Sequence, residues 1–278
     1  MKNRICILLI TMTVIAGAAV SCQHQRAAVD IDQNTADAIS VTSRVVEEIT
    51  PEQEYYIGRA VAANILARYK IWDENPALTA YLNKICAAIT VNSLRPGVFN
   101  GYHVAILDSN EINAFATSGG HIFVTRGLIN TAKSEDALAG IIAHEIAHIQ
   151  LQHGIKAIRT SRIIQALTAA SLNVNELTNI FNESVGEIVS ALVNNGYPQT
   201  QEFEADSAAM SLLASAGYNP LGLIDMLTEL SAAQTSSSGL GKTHPNPAQR
   251  ITNAQKSIGN HNVTDTRPYR QSRFASVR

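Results

Sequence analysis

His144-Glu145-Ile146-Ala147-His148 sets two imidazoles four residues apart, with a carboxylate beside the first. On a helix such residues share one face, so both rings can reach one ion. Two His are too few for a catalytic zinc site, which takes three protein ligands and keeps a position for water. Glu145 stands where it can address that water. The chemistry of such a set is attack by a zinc-activated hydroxide on a peptide carbonyl. The frame agrees with a buried site. Ile141, Ile142, Ala143, Ile146, Ala147 and Ile149 make a helix that is apolar almost all round. Buried His and Glu need partners, and a metal is the economical one.

The third ligand must come from elsewhere in the chain. Residues 201–213 read as a helix that stops at Gly217, and they carry Glu202 and Asp206 four apart on one face. Glu202 can bind the metal, and Asp206 can accept a hydrogen bond from the far nitrogen of one His. An acidic first turn favoured by the helix dipole is the plainer account of this pair taken alone. Glu204 points about 160° from Glu202 and is not expected to be a ligand. His153 falls about 140° off the ligand face and reads as structural or loop-facing. His121 reads as a strand residue with no assigned role.

Four stretches together resemble the zinc metallopeptidases that include HtpX and the type I CAAX prenyl proteases. The likeness is strongest to their soluble periplasmic branch of BepA/LoiP-like lipoproteins. The stretches are residues 113–128, 144–148, 202–206 and 243–245, in the family's order, and the likeness spans roughly residues 50 to 258. It implies a gluzincin-type site with one Zn2+ per chain, held by His144, His148 and Glu202, with Glu145 as general base. It implies that residues 113–126 form an active-site hairpin, with Asn113, Ala114 and Phe115 against the substrate; Asn113 reads equally as a turn residue. It also places His244 near the zinc. There it could donate to the oxyanion in an open state, or bind zinc and displace water in a closed one. The implied function is an envelope endopeptidase acting on unfolded or misassembled proteins. The alternative is an envelope chaperone or assembly factor with gated or minor protease activity, working beside the outer-membrane assembly machinery.

The elements needed to position these groups are legible in outline. Residues 103–107 and 121–125 are β-rich, and Gly119-Gly120 permits a turn. A free sheet edge recognises peptide backbone whatever its sequence. Helices are expected over 51–72, opened by Pro51, and over 77–90, after Asn75-Pro76. Residues 156–194 should form two or three further helical stretches able to cover the cleft, and another helix should follow residue 220. A small polar loop, 235–242, delivers His244, and a helix with Arg250 follows. Arg250 is either an anchor for an acidic partner at the site or a plain surface Arg. The fold class is α+β, mainly helical, with a metallopeptidase domain over residues 49–260.

Residues 1–21 read as a signal peptide, with Lys2 and Arg4 before an apolar run. Ala19-Val20-Ser21-Cys22 resembles a lipoprotein box, although Leu is absent three before the Cys. Acylated Cys22 would tether the chain to a membrane through residues 22–48, and Gln23 favours the outer membrane of a Gram-negative bacterium. Lipid-anchored periplasmic residence follows. Cys86 then stands alone among apolar neighbours, which leaves no disulfide framework. Cleavage at Cys22 leaves a net charge of about −4, against nucleic acid as a partner. The Arg-rich residues 261–278 are expected to be a disordered tail.

Overall fold

The computed structural model describes residues 49–157, 188–233, 239–244, 246–258 and 267–277, with isolated positions between 179 and 186. The expected signal, Cys22, the tether and most of residues 156–194 lie outside the described residues.

Helix α1 (Pro51–Leu66) starts where Thr50 and Gln53 form a reciprocal capping box, with Pro at the first turn. It stops before residue 72 because the following segment goes elsewhere. Trp72 N donates to Ile106 O at 2.8 Å, and Asp108 N donates to Lys70 O at 2.8 Å. Local propensity continues the helix, but pairing with the sheet overrides it. Helix α2 (Pro76–Thr90) is capped by Asn75. Its Asn83 side chain bonds both the N–H and the C=O of Val104.

The sheet comprises β1 (His103–Leu107), β2 (Ala114–Thr117) and β3 (His121–Thr125) in the order β1-β3-β2. β3 pairs with β1 in parallel and with β2 antiparallel. Gly120 turns the β2–β3 hairpin at φ +106°, where a Cβ would lie 2.2 Å from Gly101 O. Residues 70–72 and Asn83 occupy the outer edge of β1. The outer edge of β2 has no strand partner among the described residues.

After α3 (Arg126–Thr131), helix α4 (Glu135–Gln150) is capped by Ser134 and buried over all but its last residue. It packs between the sheet, α5 (Gln199–Ser215) and α6 (Leu221–Ala233). Gly140 lets α4 meet the backbone of α6, since a Cβ there would lie 2.7 Å from Leu223 Cα. Short α7 (Leu240–Thr243) leads through His244 into α8 (Pro247–Ser257). Cys86 is buried in the main core, and burial pushes its thiol up to about 12.

Part of the expected disordered tail is ordered. Arg267–Val277 forms helix α9. Arg270 Nε donates to Asp136 Oδ2 at 2.9 Å, Arg273 Nε donates to Glu135 Oε2 at 2.5 Å, and Phe274 is buried. Two of the basic residues that suggested a solvated tail, Arg270 and Arg273, instead meet the acidic first turn of α4. No helix among the described residues is long and apolar enough to cross a membrane.

Candidate metal centre

Helix α4 presents His144, Glu145 and His148, and α5 presents Glu202. The two Nε2 atoms lie 3.0 Å apart. Glu202 Oε2 is 3.5 Å from His144 Nε2, and Glu202 Oε1 is 3.4 Å from His148 Nε2. His244 joins them, with Nδ1 3.0 Å from Glu202 Oε2 and 3.3 Å from His144 Nε2. One donor atom from each of the four residues lies within 4.8 Å of the others, and all four residues are buried. Of the two positions open to His244, this structure has the one among the donor atoms.

The rest of the shell holds these groups from behind. His144 Nδ1 faces Asp206 Oδ1 at 2.9 Å. Arg250, on α8, donates through Nε and NH2 to Asp206 at 2.9 and 2.7 Å, and its NH1 is 3.3 Å from Glu202. Arg250 is fully buried, so it belongs to the site and not to the surface. Its signal in the sequence was its place on the helix that follows His244. Tyr197 stacks on His148 at 4.5 Å. It follows Gly196, whose left-handed φ of +75° lets the chain press against Thr243 O.

The His244 segment hangs from the start of β2. Leu240 N donates to Ile112 O at 2.7 Å, and Thr243 Oγ1 donates to Asn113 Oδ1 at 3.1 Å. Asn113, Ala114 and Phe115 are all buried. The Phe115 ring turns to Tyr69 at 5.6 Å, and among the described residues the outer backbone edge of β2 has no strand partner.

Burial and Arg250 oppose a proton on His144, but hydrogen bonds to Asp206 and Glu202 outweigh them and push its pKa up to about 9. Burial pushes His148 down to about 3 despite Glu202. Burial also resists ionisation of Glu202, yet His244, Arg250 and the other His hold it well below the usual carboxylate range. Asp206 is likewise lowered against its burial, chiefly by Arg250. Glu145 is raised by burial, only partly offset by His244 and His144. Among the described residues its Oε1 has no hydrogen-bond partner, and His244 Nε2 is 3.7 Å away.

A divalent ion fits this donor set. Glu202 and Asp206, both held as carboxylates, outweigh the single guanidinium of Arg250 by one charge, and an ion would take the place of the proton they favour on His144. Nitrogen and carboxylate donors without thiolate match zinc.

A helix-borne His-Glu-x-x-His pair completed by a distant Glu defines the class of single-metal peptidase centres. The chain belongs to peptidase family M48, whose sequence model matches residues 76–258. It is 25% identical to the Beta-barrel assembly-enhancing protease of Yersinia pestis over 98% of this chain and 56% of that protein. It is 23% identical to Metalloprotease YcaL of Escherichia coli K12 over 87% of this chain and 93% of that protein. Metalloprotease LoiP of the same organism is 28% identical over 51% of this chain and 57% of its own length. The chain spans about half the length of the assembly-enhancing relatives it matches, from 39% to 56%.

Proposed function

We propose that this protein is a zinc-dependent endopeptidase of the bacterial cell envelope that cleaves unfolded or misassembled proteins. The observation that carries the reading is the convergence of His144, His148 and Glu202 beside the unbonded Oε1 of Glu145. Zinc, when bound by those three residues, supplies a Lewis acid that polarises a carbonyl and lowers the pKa of water. Glu145 takes a proton from the attacking water and later delivers it to the leaving amine. Burial raises its pKa, the direction that favours taking up a proton and holding it for the leaving amine. Asp206, backed by Arg250, orients His144 and favours the tautomer that turns Nε2 to the ion.

Extended substrate pairs with the outer edge of β2, beginning at Asn113, Ala114 and Phe115. Such pairing demands an unfolded chain, which sets the substrate class. His244 closes the site at rest. The four donor residues and Glu145 are at most 4% exposed, so a peptide enters only after the site opens, and withdrawal of the His244 segment opens it. That segment is tied to Asn113, so substrate docking and release of His244 meet at one residue.

The signal-like start and Cys22 support lipid anchoring, periplasmic residence and attachment to the outer membrane. The names of the relatives support action beside the outer-membrane assembly machinery. The closed site favours a second reading, an assembly factor whose protease activity is gated or minor.

Replacing Glu145 with Gln separates the two readings, because it spares the metal donors. Peptidase action predicts loss of about 10²-fold or more in cleavage of an unfolded protein, with zinc content unchanged. Retained cleavage sinks the mechanism, and full rescue of a deletion phenotype by Glu145→Gln selects the assembly-factor reading. His244→Ala should raise basal cleavage if closure is inhibitory. Unchanged basal and stimulated cleavage would dismiss both roles of His244.

A further inference from the structure

Among the described residues no carboxylate lies directly behind His148, unlike His144. Its Nε2 turns to the donor cluster, and its Nδ1 lies 2.8 Å from Nδ1 of His153. His153 Nε2 in turn lies 3.3 Å from Glu204 Oε2, on α5. His153 is fully buried, whereas the Glu204 side chain is 55% exposed.

A left-handed turn brings His153 there. Helix α4 ends at Gln150, and Gln152 takes φ +55°, rare for a residue with a side chain. Its amide donates to Glu54 Oε2 at 3.1 Å, and Glu54 is itself buried and paired with Arg95 at 2.8 Å. Backbone held in this region marks a place where the surroundings demand it. The turn folds the chain back, so the helical angle that sets His153 away from the ligand face does not apply beyond Gln150.

Proton positions then follow from the donor inventory. A neutral His148 that offers Nε2 to an ion carries its hydrogen on Nδ1. That N–H meets His153 Nδ1, which must accept. His153 therefore carries its hydrogen on Nε2, where the Glu204 carboxylate accepts it. One tautomer of each ring satisfies every contact.

We infer that His153 and Glu204 are positioning residues for His148, a two-step relay that does for this ring what Asp206 does directly for His144. Helix α5 thus supplies one metal donor and the support behind both histidines. The inference rests on the zinc reading of the site.

The test is zinc affinity, measured by competition with a chelating dye in full-length protein carrying Glu145→Gln, so that turnover plays no part. His153→Ala should weaken binding by about 10- to 100-fold, the usual cost of losing such support. His153→Asn keeps a carbonyl acceptor near the place of Nδ1 and should recover most of that loss. Glu204→Ala, on a half-exposed partner, should weaken binding by about threefold. Unchanged affinity in His153→Ala overturns the relay, as does an equal loss in the Ala and Asn variants, which would mark His153 as packing alone. If His153→Ala does not fold, His153→Asn at near-native affinity together with weakened Glu204→Ala supports the relay, and an unaltered Glu204→Ala refutes it. Failure of the Glu145→Gln parent to bind zinc sinks the site reading itself and is separable from every result above.

Discussion

Arg273→Ala should loosen the N-terminal end of the metal-bearing helix by an amount that depends on pH. Glu135 is fully buried and accepts from Tyr81 OH at 2.5 Å, Tyr218 OH at 2.9 Å and Arg273 Nε at 2.5 Å, with a second bond from Arg273 NH2. Hydrogen bonds to a charged group contribute about 1.5–3 kcal/mol. Two are lost, but the Arg273 side chain is 54% exposed, so solvent already screens it, and both tyrosines remain. A net loss of about 1.5–2 kcal/mol follows, or roughly 3–8 °C in Tm for a chain of this size. Burial resists ionisation of Glu135, but Arg273 and the tyrosines outweigh it and hold its pKa below the usual 4.5. A depressed carboxylate contributes stability above its unfolded value and loses it as pH falls through the folded value. The difference between wild type and variant should therefore be full at pH 7. It should shrink below about pH 4.5 as Glu135 protonates. Urea denaturation across that range, with a chelator present throughout, reads it without interference from bound metal. A difference absent at pH 7, or constant to the lowest pH at which the protein stays folded, would refute the reasoning.

Three further outcomes follow from the same geometry. Arg250→Met leaves Asp206 and Glu202 buried without their cation, and should cost the metal-free protein about 3–5 kcal/mol. Urea denaturation checks this, and a loss below about 1 kcal/mol would mean that Arg250 does not offset those charges. Gly140→Ala puts a methyl 2.7 Å from Leu223 Cα, and overpacking there should cost about 1–3 kcal/mol in thermal melts. An unchanged Tm would show that α4 and α6 can part without penalty. Zinc at about a thousandfold over its Kd should stabilise the wild type by about 4 kcal/mol, an effect removed by chelation and nearly absent in Glu202→Ala. Calorimetry with and without zinc measures it, and equal responses in the two proteins would exclude Glu202 as a ligand.

The groups nearest the ion were legible because each sits on a regular helix, where spacing alone fixes which side chains share a face. His144 with His148 and Glu202 with Asp206 both follow the four-residue rule. The strands at 103–107 and 121–125 were legible from composition, although their parallel pairing was not, since β2 lies between them in sequence. His153 was lost at the point where periodicity ends, because a single left-handed residue redirects the chain. Arg250 and the arginines of α9 were ambiguous for a different reason. A basic residue in a polar segment looks solvated until its acidic partner, more than a hundred positions back for Arg270 and Arg273, is placed beside it. Helix α1 ended early because residues 70–72 pair with β1, which no local signal announces.

Helix α4 is apolar on nearly every side. Hydrophobic burial is non-directional, so it drives such a helix inside without deciding which face meets which neighbour. A rotation of one residue, about 100°, would keep most of the apolar burial and carry the histidines away from Glu202. Polar contacts supply the missing constraint. At one end Arg270 and Arg273 grip Asp136 and Glu135. At the other, Arg95 donates to Ile149 O at 3.3 Å while bound to Glu54. Between them His144 meets Asp206, and Gly140 admits only α6. Turning α4 would leave the carboxylates of Glu135, Asp136 and Asp206 buried without partners and would move Gly140 off the backbone of α6. The cost of unmaking them opposes that rotation. The helix is therefore held inside by its hydrophobic residues and aimed by its buried ions, and the metal donors inherit that aim.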